Sequence, residues 1–333
     1  MKKFIFITGA GRCGTKLLHG LLDGNSQLNV IPGEITNFFE YSLKINSLSL
    51  KIHKDNYKEL LNFFISQIIN SNIVGLNKIR KKIRKKINNK FLTKKNINIE
   101  YFLELICDSF FSKKKTVVIN LQNENIIGLL EAFPSCKVLH MVRNPLTQIN
   151  SRYLFRYKNP NNYDGFEFSQ SFYRNYNTFK NAQLMKKNKD VCIIKMENLV
   201  INTKLEIKNI LNFIGFNFEK INLKTTQLGK PIETRNSLKT NKEKLDHDFS
   251  CLLPNDLYVI SQIKYIKNFY SIKKYKYRVN NFLLFYLRHL GFIGKKRNTI
   301  TNPWRFLKCS IYSIYLFFLD VNLKKQLLLT NKL

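Results

Sequence analysis

The stretch FIFITGAGRCGTKLL, residues 4–18, constrains the fold more than any other part of the chain. A short apolar run, Phe4–Thr8, meets three glycines, Gly9, Gly11 and Gly14, with Arg12 among them. Apolar positions then resume at Leu17 and Leu18 with helical spacing. This is a strand turning sharply into a helix, with the helix N-terminus presented to an anion. The residues alone admit several loops. Gly9, Gly11 and Gly14 match the G-x-G-x-x-G of dinucleotide-binding folds, with Glu34 placed as a ribose-binding acid. Gly9 and Gly14 also frame a Walker A spacing, but that loop needs Lys before Ser or Thr, and here Thr15 precedes Lys16. In a third form, G-x-x-R-x-G-T, the loop N–H groups and the Arg12 fork hold a 5′-phosphosulfate with no metal required. A glycine turn without any ligand is the plainest form.

The rest of the chain supplies the layers around this turn. Strand-like runs fall at Phe4–Thr8, Leu28–Ile31, Thr116–Asn120, Lys137–Val142 and Val191–Met196. Helical patterns fall at Thr15–Leu22, Asn125–Phe133 and Leu205–Ile214. Strands alternating with helices predict an α/β domain with a mostly parallel sheet covered on both faces, and a ligand at the carboxyl ends of the strands. Residues 40–115 break the rhythm as a helical, basic insert. Within it Ile79, Ile83 and Ile87 form a narrow apolar stripe on an otherwise cationic helix. This is either a solvated helix anchored by three isoleucines or a surface for an anionic acceptor or membrane. Beyond about residue 275 the chain turns basic and aromatic, with an uncharged run at 309–319 too short to span a bilayer.

The chain carries 56 Lys and Arg against 22 Asp and Glu, a net charge of +34. Such a field favours polyanionic partners and chooses none of them. The six cysteines are scattered without a C-x-x-C pair, which argues against a zinc site or disulfide framework and for a reducing, cytoplasmic setting. The five histidines show no ligand spacing and read as structural.

The second half narrows the loop. In VLHMVRNPLTQINSRY a strand is followed by Arg143, a proline-marked turn and a helix carrying Ser151. An arginine at a strand end and a serine on the next helix can hold one phosphate together; alternatively Arg143 pairs with an acid at an ordinary strand–helix junction. With GAGRCGTKLLHGLLD, AFPSCKVLHMVRNP and DVCIIKMENLVINTKLEIKNILNFIGF, this stretch resembles the sulfotransferases that use 3′-phosphoadenosine 5′-phosphosulfate, in particular their bacterial and Golgi-type carbohydrate members and the tyrosylprotein members. These ordered stretches cover much of residues 4–220.

The resemblance implies a P-loop-like three-layer α/β domain, expected over 1–275; the helical insert at 40–115 and a helical C-terminal extension, 276–333, are not covered by it. It places Arg12, Cys13, Gly14, Thr15 and Lys16 on the 5′-phosphosulfate loop, with Arg12 activating the sulfuryl group. Arg143 and Ser151 fall on the 3′-phosphate pair, and Arg235, Asn236 and Ser237 near a nucleotide-closing loop. Glu34 is similar in placement to the family's general base; its plainer role is a carboxylate at a helix start. The expected activity is sulfuryl transfer to a hydroxyl of a carbohydrate or glycolipid, with no metal. The insert is the expected acceptor-binding region, and 78–95 and 304–325 the expected peripheral membrane contacts. Competing readings are a nucleotide-dependent P-loop kinase and a non-enzymatic basic protein binding membrane or nucleic acid. One departure stands out: the strand TVVINLQNEN lacks the lysine and proline many relatives carry, leaving Asn120, Gln122 or Lys16 to substitute.

Overall fold

The computed structural model describes residues 3–46, 50–69, 76–110, 116–122, 126–156, 165–227, 230–231, 252, 254–261 and 264–272. They fall into two units, one drawn from Met1–Val142 and Leu184–Leu245, the other from Arg143–Gln183 and Asp246–Leu333.

The first unit is built on a sheet ordered β2-β6-β1-β7-β8. Its strands are β1 (Lys3–Gly9), β2 (Asn29–Val30), β6 (Thr116–Gln122), β7 (Lys137–Val142) and β8 (Val191–Lys195), and β3 (Ile35–Thr36) pairs with β6 beyond β2. All these pairings are parallel, with Ile7 opposite Asn120 on one side and Leu139 on the other. Parallel strands need covered faces, and β1 is buried from Phe4 to Gly9 accordingly. The central position of β1 follows from the chain's route: β2 lies beyond β6 on one flank, β7 and β8 on the other. The connection leaving β1 is therefore at the switch point of the sheet.

Alternation along the strands divides the core in two. Ile5, Ile7, Val118, Leu139, Met141 and Ile194 face one cluster, closed by α1 (Thr15–Leu22), α9 (Met196–Ile201) and α10 (Thr203–Ile214). Phe4, Phe6, Val117, Ile119, Leu121 and Val138 face the other, where Phe6 and Phe133 meet edge to face at 4.9 Å. The α/β architecture with helices on both sides of a parallel sheet is thus as the alternation predicts. Strand Val191–Met196 ends one residue early, because Met196 opens α9. Helix α10 stops at Gly215, whose φ of 84° supplies the left-handed turn that closes it.

The insert forms part of the second cluster. It contains α2 (Phe38–Ile45), α3 (Tyr57–Ile69), α4 (Leu76–Thr93) and α5 (Ile99–Phe110), with α6 (Ile126–Ala132) following β6. Ile83, Ile87 and Phe91 of α4 are buried with Phe64, Phe102 and Ile106, and Ile79 packs beside them. The apolar stripe anchors the helix, and Lys81, Lys82, Arg84 and Lys85 are exposed. Two short antiparallel strands, β4 (Lys51–His53) and β5 (Asn96–Asn98), also occur within this helical segment.

In the second unit, α7 (Pro145–Arg156) packs near a helix at Pro254–Ser261, and α8 (Gly165–Met185) sets Phe179 against Phe269 and Tyr270. Asn175 donates to Gln148 at 2.7 Å, tying α8 to α7. The expectations for Arg235, Asn236, Ser237, 276–333 and the 304–325 contact lie outside the described residues.

Candidate functional site

The turn after β1 has the backbone its glycines foretell. Gly9 sits at φ 143°, where a Cβ would lie 2.6 Å from the Met141 carbonyl oxygen and from Cys13 Sγ. Gly14 is left-handed at φ 96° and caps α1 without a side-chain hydrogen bond. A helix N-terminus without a side-chain cap can offer its first-turn N–H groups to an anion. Arg12 is also left-handed, at φ 73°, which costs a non-glycine residue about 1–2 kcal/mol. Strain of this kind persists only where the surrounding structure holds it, and it clusters at functional sites.

Glu34 comes to this turn from the segment between β2 and β3. Its Oε1 accepts a hydrogen bond from Thr15 Oγ1 at 2.9 Å, and its Oε2 lies 3.1 Å from Lys16 Nζ. Thr15 is buried, whereas the Lys16 side chain is 55% exposed and Glu34 14%. The carboxylate thus reaches the loop rather than the start of α2, whose N-cap residue is Asn37. Behind the loop, His19 on α1 donates from Nε2 to the Ile31 carbonyl oxygen at 2.8 Å. Burial pushes its pKa down, so it is a neutral imidazole pinning α1 to the end of β2. His140 on β7 meets Thr8 on β1 at 2.7 Å, also buried. Both histidines thus make hydrogen bonds within the buried part of the fold.

Arg143 is buried at the start of the second unit and donates from Nε to Thr147 Oγ1 at 3.2 Å. Thr147 in turn donates to the Asn144 carbonyl oxygen at 2.9 Å, and the Asn144 side chain accepts from the Leu146 N–H at 3.1 Å. Thr147 and Ser151 are one helical turn apart on α7 and share a face, and Arg143, just before the helix, reaches Thr147. Thr147 was not anticipated; its signal is the four-residue step that divides the Arg143–Ser151 interval.

The strand that departs from expectation, β6, has two polar residues near its end. Gln122 accepts from Thr36 Oγ1 at 3.5 Å. Asn120 is 1% exposed, and neither its Nδ2 nor its Oδ1 has a hydrogen-bond partner. Among the described residues no group of three or more His, Cys, Asp and Glu could hold a metal ion, and no helix is long and apolar enough to cross a membrane.

Comparison with known proteins agrees with the fold. Among solved structures, the sulfotransferase domain of the Synechococcus PCC 7002 olefin synthase superposes with a TM-score of 0.53 at 16% identity, over 82% of this chain and 98% of that one. The sulfotransferase domain from the curacin biosynthetic pathway gives 0.50 at 14% identity, over 82% and 99%. At these identities the likeness is one of fold. No curated protein sequence matches the chain. The sulfotransferase family model matches residues 5–220, the span that holds the glycine turn, Glu34, Asn120 and the Arg143–Ser151 segment, and the chain belongs to the sulfotransferase family.

Proposed function

We propose that the chain moves a sulfuryl group from 3′-phosphoadenosine 5′-phosphosulfate to an acceptor hydroxyl of a carbohydrate or glycolipid. The observation that carries this reading is the carboxylate of Glu34 held beside the anion-binding turn by Thr15 and Lys16. In the proposed step, the acceptor oxygen attacks sulfur and gives its proton to Glu34. The bond from sulfur to the 5′-phosphate oxygen breaks, and the electron pair leaves with adenosine 3′,5′-bisphosphate. Arg12, Lys16 and the N–H groups of α1 offset the charge that gathers on that phosphate, which is the main demand of such a transfer. Cys13 and Gly14 shape the loop. Arg143 and Ser151, with Thr147, are assigned to the 3′-phosphate, and Arg235 and Asn236 to the nucleotide.

The exposed Lys81, Lys82, Arg84 and Lys85 of α4 offer a cationic face for an anionic membrane surface at which a glycolipid acceptor would be met. The buried thiols Cys13, Cys107 and Cys136, none of which is in a disulfide, support placement in the reducing cytoplasm. Incubation with sulfur-labelled donor and a panel of glycans and glycolipids tests the reading. Label on a carbohydrate hydroxyl is the expected result. Transfer confined to peptide or small-molecule acceptors would overturn the carbohydrate assignment.

A further inference from the structure

Asn120 is a polar residue where an apolar one would pack. Along β6 the side chains alternate: Val117, Ile119 and Leu121 enter one core cluster and Val118 the other. Asn120 therefore lies on the Val118 side, the face covered by α1. It is 1% exposed with both side-chain polar atoms unpartnered, and among the described residues it is the one side chain with two such atoms. An unsatisfied amide in the core opposes folding, and an apolar residue of the same size would remove that penalty. A buried amide with both polar atoms unpartnered points to a partner that arrives with a ligand.

The register says where that ligand sits. On one side Asn120 pairs with Ile7, two residues before Gly9 at the mouth of the turn. On the other, Leu121 pairs with Ile35, so Glu34 and Asn120 are the residues immediately preceding one cross-strand pair. The amide thus lies in the sheet between the start of the loop and the carboxylate assigned to the acceptor, on the face of α1, whose N-terminus is uncapped. That is the sulfur end of a donor held on the loop. Resting on the donor assignment above, we propose that Asn120 contacts the transferring group itself, its Nδ2–H donating to a sulfuryl oxygen while the charge on that group redistributes. It takes the place of a cationic residue at this strand end, with a neutral donor already desolvated by the fold.

The test uses the full chain with Asn120→Leu and Asn120→Asp, beside wild type. Three quantities are read: the melting temperature without ligand, the affinity for adenosine 3′,5′-bisphosphate, and turnover of sulfur-labelled donor. Asn120→Leu is expected to melt no lower than wild type and to bind the bisphosphate, which has no sulfuryl group, within about twofold. Its turnover is expected to fall roughly tenfold to a hundredfold, the range of a hydrogen bond to a charged group. Asn120→Asp sets a carboxylate against the sulfuryl oxygens and should lose at least as much turnover. Unchanged turnover in Asn120→Leu would mean the amide does not meet the transferring group, and a fall in its ligand-free stability would mean a structural amide. A matching loss of bisphosphate affinity would place the amide on the nucleotide. Each overturns the proposal while leaving the donor assignment standing if wild type transfers label; a wild-type chain that transfers none overturns both.

Discussion

Replacing Glu34 by Gln separates the two jobs its position allows. The amide keeps the shape of the carboxylate, and its Oε1 can still accept the 2.9 Å hydrogen bond from Thr15. What it loses is the charge facing Lys16 at 3.1 Å. Because the Lys16 side chain is 55% exposed, that ion pair is screened and is worth under about 1 kcal/mol. In a unit of this size such a loss lowers the melting temperature by at most about 2–4 °C. The amide cannot take a proton from an attacking hydroxyl, and loss of a positioned base costs about 10²–10⁴ in rate. The expected outcome is near-native melting, near-native bisphosphate affinity and initial rates of label transfer down by at least about a hundredfold. Turnover within about threefold of wild type would refute the assignment of Glu34 as base. Collapse of the melting temperature would show that the carboxylate belongs to the fold instead.

Other expected outcomes follow from the same geometry. Arg143→Ala and Ser151→Ala should each weaken adenosine 3′,5′-bisphosphate binding measured by calorimetry, the arginine by more, since it is the charged partner; unchanged affinity would reduce both to helix-start contacts. His19 is held neutral by burial, so unfolding takes up a proton once pH falls below 6.5. Its contribution is complete above that pH and is lost on acidification, and His19→Gln should show a shallower fall in melting temperature between pH 7 and pH 5. Ile87→Ala should cost about 2–5 kcal/mol in denaturant unfolding because Ile87 is fully buried. By contrast, Lys81→Gln with Lys85→Gln should leave stability within about 0.5 kcal/mol and weaken binding to anionic vesicles.

The parts of the fold legible in the sequence are those with a strong period. Helix α1 has the predicted bounds, Thr15–Leu22, and β7 its predicted six residues, because an unbroken apolar run or a clean helical stripe leaves little choice. The strands β3, β4 and β5 are two or three residues long, and their pairing is decided by tertiary contact, so no pattern announces them. The isoleucine stripe of α4 was readable, but its continuation to Phe91 and its place in the core come from packing with α5. At the site, residue types and spacing singled out Arg12, Thr15, Lys16 and Glu34. That Lys16 and Thr15 both bind Glu34 depends on where the β2–β3 segment turns, a matter of three-dimensional path. The left-handed backbone of Arg12 has no signal in composition, since arginine rarely adopts it. In the sequence Asn120 is one of three candidate substitutes for a missing lysine. Its unpartnered amide, and the Thr36 bond that occupies Gln122, distinguish it only in the folded chain.

The central claim, that the turn at Gly9–Thr15 holds the phosphosulfate end of the donor, is tested most directly by melting the chain with adenosine 3′,5′-bisphosphate in the presence of a metal chelator. At a hundredfold excess over Kd the nucleotide should stabilise the fold by about 2.7 kcal/mol, and Arg12→Ala should lose most of that gain. Stabilisation by magnesium ATP with none from the bisphosphate would contradict it.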